Sequence, residues 1–228
     1  MTYKKNINGK LALGYGSKYQ LLRMLGWHRN DFNSIVAKTL NIDENINWLD
    51  FEYNGPCDDE LHNLDFIAPL KSKWREYWKC GNGGLNWDAV GLTSDGTYIF
   101  VEAKARLTEL NTATGGSQKS IEHNMMRIND FIEKYGINSS AEKWIENHYQ
   151  LANRLVITDF MNSNGYKAKL VYVLFENGFE YNASKYDSAS KEEWIKAIDS
   201  ELTEIGLKNT PAEKIFNYCI INCNKKNQ

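Results

Sequence analysis

Proline is nearly absent, with three residues in a chain of 228, so no proline-rich spacer divides it. Internal repeats and low-complexity stretches are missing as well, and the expected organisation is one domain over residues 1–228. Cysteine is sparse: Cys57, Cys80, Cys219 and Cys223 form no C-x-x-C pair, and no histidine stands at zinc-finger spacing. That argues against a zinc finger and predicts free thiols in a reducing compartment, buried or incidental. His28, His62, His123 and His148 also lack metal-binding spacing. No apolar run approaches the ~20 residues a membrane helix requires, and the opening Met-Thr-Tyr-Lys-Lys-Asn has no hydrophobic segment behind its charges. The expectations are no membrane partner and a cytoplasmic location.

An excess of charge is missing too. Lys and Arg total 27 against 29 Asp and Glu, a formal net charge of −2. This argues against tight non-specific coating of DNA, which needs many phosphate-neutralising cations. It leaves room for a local basic cleft, because the potential follows the distribution of charge rather than its sum. The Gly115-Gly116-Ser117-Gln118-Lys119-Ser120 segment fails the G-x-x-x-x-G-K-[ST] pattern, since Gln118 stands where the second Gly belongs, directly before Lys119. No ATPase is inferred, although exposed amides and Lys119 at a helix start could hold a backbone phosphate.

What the chain does have is an ordinary globular composition, 42% hydrophobic and 25% charged, with 13% aromatics. Gly16-Ser17 reads as the entry to a helix, with Ser17 as N-cap and Gly26 as stop; a second helix, capped at Asn30 or Asp31, reaches Leu40. Ile46 to Tyr53 alternates weakly as a strand, and Asn54-Gly55-Pro56 turns. Asp58, Asp59 and Glu60 suit the start of a helix that continues through Leu61, Leu64 and Phe66. Lys71, Lys73, Arg75 and Lys79 alternate with Trp74, Tyr77 and Trp78, which reads either as a base-stacking surface or as a helix packing Trp74 and Trp78 at i,i+4. Cys80 to Gly84 is a loop. Helices follow to Tyr135, closed by Gly136, and from Ser140 to Val156. Lys167 to Phe175 is a buried strand, Ser190 or Ser188 caps another helix, and Phe216 to Cys223 is a last strand.

The most informative stretch lies between Trp87 and Lys104. Two β-rich runs flank Ser94-Asp95-Gly96, the signature of a β-hairpin. A three-residue loop with Gly96 in the left-handed conformation puts Asp88 opposite Glu102. Lys104, Phe100 and Tyr98 share the face of Glu102, while Ile99, Val101, Ala103 and Ala105 make an apolar face suited to packing under helices. Opposed carboxylates with Cβ atoms roughly 5 Å apart repel. A divalent cation reverses that sign, and Mg²⁺ takes oxygen ligands while retaining several waters. The backbone carbonyl of Ala103 lies between the two side chains and could add a ligand. A metal-bound water can attack phosphorus, with Lys104 orienting it or stabilising developing charge. The bland alternative is a strand end where Glu and Lys simply alternate with core residues.

At Asp88 and Glu102-Ala103-Lys104, the only (D/E)-x-K triplet in the chain, the sequence resembles the PD-(D/E)XK nuclease superfamily. The resemblance implies an α/β, restriction-endonuclease-like fold, a central mixed sheet flanked by helices. It further implies Mg²⁺ or Mn²⁺ held by Asp88, Glu102 and Ala103, catalytic roles for Asp88, Glu102 and Lys104, and metal-dependent hydrolysis of nucleic acid, with DNA the expected partner. Gln150 is similar to a superfamily glutamine on the helix after the metal strand, placed to position water or the scissile phosphate. Arg154, one turn on, could hold a phosphate; an ordinary surface pair is the alternative. Many members carry a metal-assisting Glu on the first helix. Here Lys18 and Gln20 stand in that neighbourhood, and Gln20 reads as a solvated residue or a ligand to a metal-bound water. Glu109 reads as a loop residue or an outlying carboxylate. The competing function is a catalytically inactive nucleic-acid- or protein-binding module on the same fold, and a homodimer stays open.

Overall fold

The computed structural model describes residues 16–42, 45–49, 60–78, 84–178 and 188–223. Its centre is a five-stranded mixed sheet in the order β1-β2-β3-β4-β5, with helices on both faces. The strands are β1 (Ile46–Trp48), β2 (Ala89–Thr93), β3 (Tyr98–Lys104), β4 (Ala168–Glu176) and β5 (Phe216–Asn222). The first three are antiparallel; β3, β4 and β5 are parallel. β4 lies between two parallel neighbours and is nearly continuously apolar, as a strand covered on both faces must be.

The hairpin forms in the expected register. Ala89 pairs with Val101 and Val90 with Phe100, so one step further places Asp88 across from Glu102. The turn closes with the Thr93 N–H donating to the Thr97 carbonyl at 3.0 Å, and Gly96 has φ 80°, where a side chain is strained. Thr93 and Thr97 hydroxyls and Lys167 all hydrogen-bond the Asp95 carboxylate. These contacts, Lys167 first, hold its pKa below the usual carboxylate range.

The sheet separates two apolar cores. On one side α1 (Ser17–Trp27) and α2 (Arg29–Leu40) pack Leu21, Leu25, Phe32 and Val36 against Ile99, Val101 and Ala103. On the other lie α3 (Ala68–Trp78), α4 (Gln118–Tyr135), α5 (Ala141–Asn147), α6 (Tyr149–Ser163) and α7 (Lys191–Glu204), over Phe100, Leu170 and Tyr172. Gly136 closes α4 at φ 62°, and Ser190 with Glu193 forms a capping box on α7.

Several expectations are corrected. Gly16, not Ser17, is the N-cap of α1, and the helix runs through Gly26 to Trp27. α2 starts at Arg29, ahead of the polar cap residues. Residues 63–66 are turns rather than helix, and His62 just before them pairs with Asn86 in an isolated antiparallel bridge. The single helix from Ser140 breaks at His148 into α5 and α6. Trp74 and Trp78 are buried and stacked, centroids 5.4 Å apart, while Arg75 pairs with Asp65; the two tryptophans therefore pack the core instead of presenting a base-stacking surface. Cys219 is a buried free thiol whose pKa burial pushes up to about 12, and Cys223 is half-buried. Asp50 to Asp59, with Cys57, Asp58 and Asp59, and Lys79 to Gly83, with Cys80, lie outside the described residues. Among the described residues no helix is long and apolar enough to cross a membrane.

Candidate active site

The hairpin delivers one carboxylate from each strand. Asp88 stands just before β2, where the chain is fixed by Asn63, a buried residue with φ 49°. The Asn63 side-chain oxygen accepts from the Leu85 N–H at 3.1 Å, and its backbone carbonyl accepts from the Trp87 indole at 2.7 Å. A Cβ on Gly84 would lie 2.2 Å from the Asn63 amide, so glycine is required at that close approach. Trp87 then stacks on Phe100 with centroids 4.2 Å apart. Two fully buried rings therefore lock the chain immediately before Asp88 and immediately before Val101.

From β3 come Glu102 and Lys104, 2% and 5% exposed. Lys104 Nζ donates to Glu102 Oε1 at 2.8 Å and to Gln150 Oε1 at 2.6 Å. The Gln150 amide nitrogen donates to the same Glu102 oxygen at 2.6 Å. Gln150 is thus a bridge, its carbonyl oxygen on the ammonium and its NH₂ on the carboxylate, the orientation these partners require. The far oxygen of Glu102 accepts from Arg154 Nε at 2.9 Å. Asp88 Oδ2 accepts from the backbone N–H of Ala103 at 2.8 Å. In an extended strand a residue's N–H and C=O point to one side, so the Ala103 carbonyl faces the Asp88 side of β3.

The electrostatics differ between the two carboxylates. Burial, then the neighbouring Glu102 charge, pushes Asp88 up to about 7, against the Ala103 N–H and Lys104. Asp88 keeps some residue surface, but its carboxylate is desolvated. Glu102 is more deeply buried, which alone would raise it. Lys104 and Arg154 outweigh that, so its pKa is held below the ordinary value. Tyr172, the β4 residue paired with Glu102, is raised well above the usual range by burial and by Glu102 and Glu201. Its hydroxyl stays neutral beside the site.

The structure brings Asp88, Glu102, Ala103, Lys104 and Gln150 together at the carboxyl end of β3, next to the first turn of α6. Ligand sites of open α/β sheets lie beyond the carboxyl ends of the parallel strands. Arg154 does not stand ready for a phosphate. It is 3% exposed, its fork is committed to Glu102, the Asn86 carbonyl (2.6 Å) and Asn153, and it lies over the Trp87 ring at 4.5 Å. Gln20 is buried rather than solvated and donates to the Gly178 carbonyl at 3.3 Å. Lys18 pairs with Glu60 at 3.2 Å, and its charge favours ionised Asp88. Glu109 caps the end of β3 by accepting from the Ala105 N–H at 2.8 Å. Thr112, which sequence reasoning passed over, anchors the start of α6 by accepting the Gln150 N–H on its hydroxyl. Only tertiary pairing between distant segments reveals it.

The donor set at Asp88, Glu102 and Ala103 is all oxygen. Among the described residues no group of three or more His, Cys, Asp or Glu side chains is placed to hold a metal. Comparison with protein families, with curated proteins and with solved structures returns no match to this chain.

Proposed function

We propose that the chain is a metal-dependent phosphodiesterase of nucleic acid, with DNA the expected substrate, on a restriction-endonuclease-like fold. One observation carries the reading. Asp88 and Glu102 are opposed at one strand end, with Lys104 and Gln150 converging on the same oxygen of Glu102. A purely structural strand end has no need for two desolvated carboxylates side by side, and Asp88 at about 7 records the penalty.

The residues fit a hard divalent cation. Asp88, Glu102 and the Ala103 carbonyl would hold Mg²⁺ or Mn²⁺, with water completing the shell. Such an ion lowers the pKa of a coordinated water and takes up charge on the phosphate. The protein's own groups do the rest. Lys104 directs an ammonium proton at the attacking water or at the oxygen that gains charge. Gln150, bonded to both Lys104 and Glu102, fixes their separation. Arg154 neutralises the back of Glu102 and keeps the front oxygen turned toward Lys104.

A second reading, a binding module on this fold without catalysis, draws on the same contacts. Both Glu102 oxygens already have protein donors, and the first helix presents Lys18 in place of an acid.

The deciding experiment incubates labelled single- and double-stranded DNA and RNA with the protein in Mg²⁺, Mn²⁺ or EDTA. Cutting that needs metal and is lost in Lys104→Ala establishes the nuclease. Absence of cutting, together with no calorimetric Mn²⁺ binding that depends on Asp88, leaves the binding module.

A further inference from the structure

Spacing gives His148 no role, yet it occupies the joint on which the site turns. With φ −128° and ψ 24° it ends α5 and serves as N-cap of α6. Its main-chain neighbours are pinned to Thr112. The Thr112 N–H donates to the Asn147 carbonyl at 2.8 Å, and the Tyr149 N–H donates to the Thr112 carbonyl at 2.9 Å. The imidazole is buried, with Nδ1 at 3.2 Å from Glu201 Oε1 and Nε2 at 3.7 Å from Glu204 Oε1. Glu201 is also buried, on α7, and its second oxygen has no hydrogen-bond partner among the described residues. A buried carboxylate with an unpaired oxygen is unfavourable and calls for a compensating use.

Two residues beyond His148, Gln150 makes both of its 2.6 Å contacts. A displacement of α6 by about 1 Å would break the two together, and misplacement on that scale can lower a rate about a hundredfold. The Thr112 contacts hold the helix start through the main chain. Glu201 adds a side-chain contact from α7, through the imidazole.

We propose that His148, gripped by Glu201, is a positioning residue for Gln150: it fixes the first turn of α6 so that one amide meets Glu102 and Lys104 at once. The catalytic consequence rests on the nuclease reading; the structural consequence does not.

The test compares wild type with His148→Ala, His148→Asn and Glu201→Leu. The Gln150 side-chain amide is read by ¹⁵N NMR in metal-free protein, and cleavage kinetics are read in Mn²⁺. Asn can place an amide nitrogen where Nδ1 stands. His148→Ala is expected to move the Gln150 amide resonances toward those of a solvated glutamine. It should lower kcat about ten- to a hundredfold with KM within about twofold, and His148→Asn should restore both. Unmoved Gln150 resonances in His148→Ala overturn the proposal, as does an equal loss of kcat in the Ala and Asn variants. If His148→Ala fails to fold, Glu201→Leu, which removes the acceptor and keeps the volume, decides: a shifted Gln150 amide supports the grip and an unshifted one overturns it. A wild type that does not cut removes the nuclease reading alone, and the amide resonances still settle the positioning.

Discussion

The two faces of β3 show how differently one strand can be used. Ile99, Val101 and Ala103 are dry and wholly apolar, pressed by α1 and α2. Phe100 begins the other face in the same manner, but two residues on it turns to Glu102 and then Lys104, both buried, with Arg154 behind them. Burying apolar area stabilises in proportion to the area removed from water. Burying charges stabilises only when every one is matched. The first face therefore tolerates a change by the volume lost, whereas the second fails by the partner left over. The candidate site is mounted on the face where burial is most easily upset.

Breaking the charged face should have the largest effect. Arg154→Ala leaves Glu102 short of a donor and the Asn86 carbonyl without its guanidinium. Removing one partner of a buried pair costs about 3–5 kcal/mol, to be read by urea denaturation. A loss below about 1 kcal/mol would mean that water reaches Glu102 freely.

The same face should also set the pH dependence of stability. Asp88 titrates at about 7 in the folded protein and near the ordinary 3.8 when unfolded. The native state therefore binds more protons between those values, and stability falls as pH rises through that window. Asp88→Asn, which can still accept from the Ala103 N–H, should remove this slope. At about 1.4 kcal/mol per pKa unit, it should gain up to about 4 kcal/mol over wild type at pH 8 and little at pH 4. Melting curves across pH check this. Mn²⁺ should flatten the wild-type slope as well if the ion takes its place between the carboxylates. An equal response of wild type and variant at every pH would mean that Asp88 is solvated.

How much of this arrangement could be read in advance follows the range of the contacts. The hairpin is local. Turn chemistry at Ser94 to Gly96 and alternation on either side carry the register, so the juxtaposition of Asp88, Glu102 and Lys104 was legible from fewer than twenty neighbouring residues. The α/β class and the helices bounded by Gly136 and Ser190 were legible for the same reason. Arg154 was misread because its partners lie 52 and 68 residues away, and nothing in Gln-Leu-Ala-Asn-Arg says that this guanidinium turns inward onto Trp87. The break at His148 was hidden because the apolar periodicity runs through it, while the cause is an edge contact with Thr112. Trp74 and Trp78 leave both readings open in sequence, because Phe160, whose ring packs at 5.3 Å from Trp74, comes from a distant helix. The resemblance to a nuclease superfamily supplied roles for residues, and the structure supplies their neighbours.

The dry face offers the control. Val101→Ala removes two methyl groups from a site with no exposed surface, and truncation of this kind costs about 1–3 kcal/mol. It should leave the pH slope and Mn²⁺ affinity as they are, because Val101 points away from Asp88 and Glu102. A shift in Mn²⁺ affinity beyond about threefold, some 0.7 kcal/mol, would show that the two faces are mechanically coupled through the strand.

The smallest effect should come from the turn that aligns the faces at all. Gly96→Ala places a Cβ in open space, but at φ 80°, a conformation that costs an L-residue about 1–2 kcal/mol. The Thr93 hydroxyl on Asp95, the Thr97 backbone N–H on the Thr93 hydroxyl and the Lys167–Asp95 pair all stay available to hold the loop. The register should therefore survive, with a loss near 1 kcal/mol and the Asp88 pH slope intact. The informative failure is a slope that disappears together with the stability. Slipping the hairpin by one residue would turn every side chain of β2 to the opposite face. Asp88 would then no longer oppose Glu102, and the repulsion that raises its pKa would vanish with the turn.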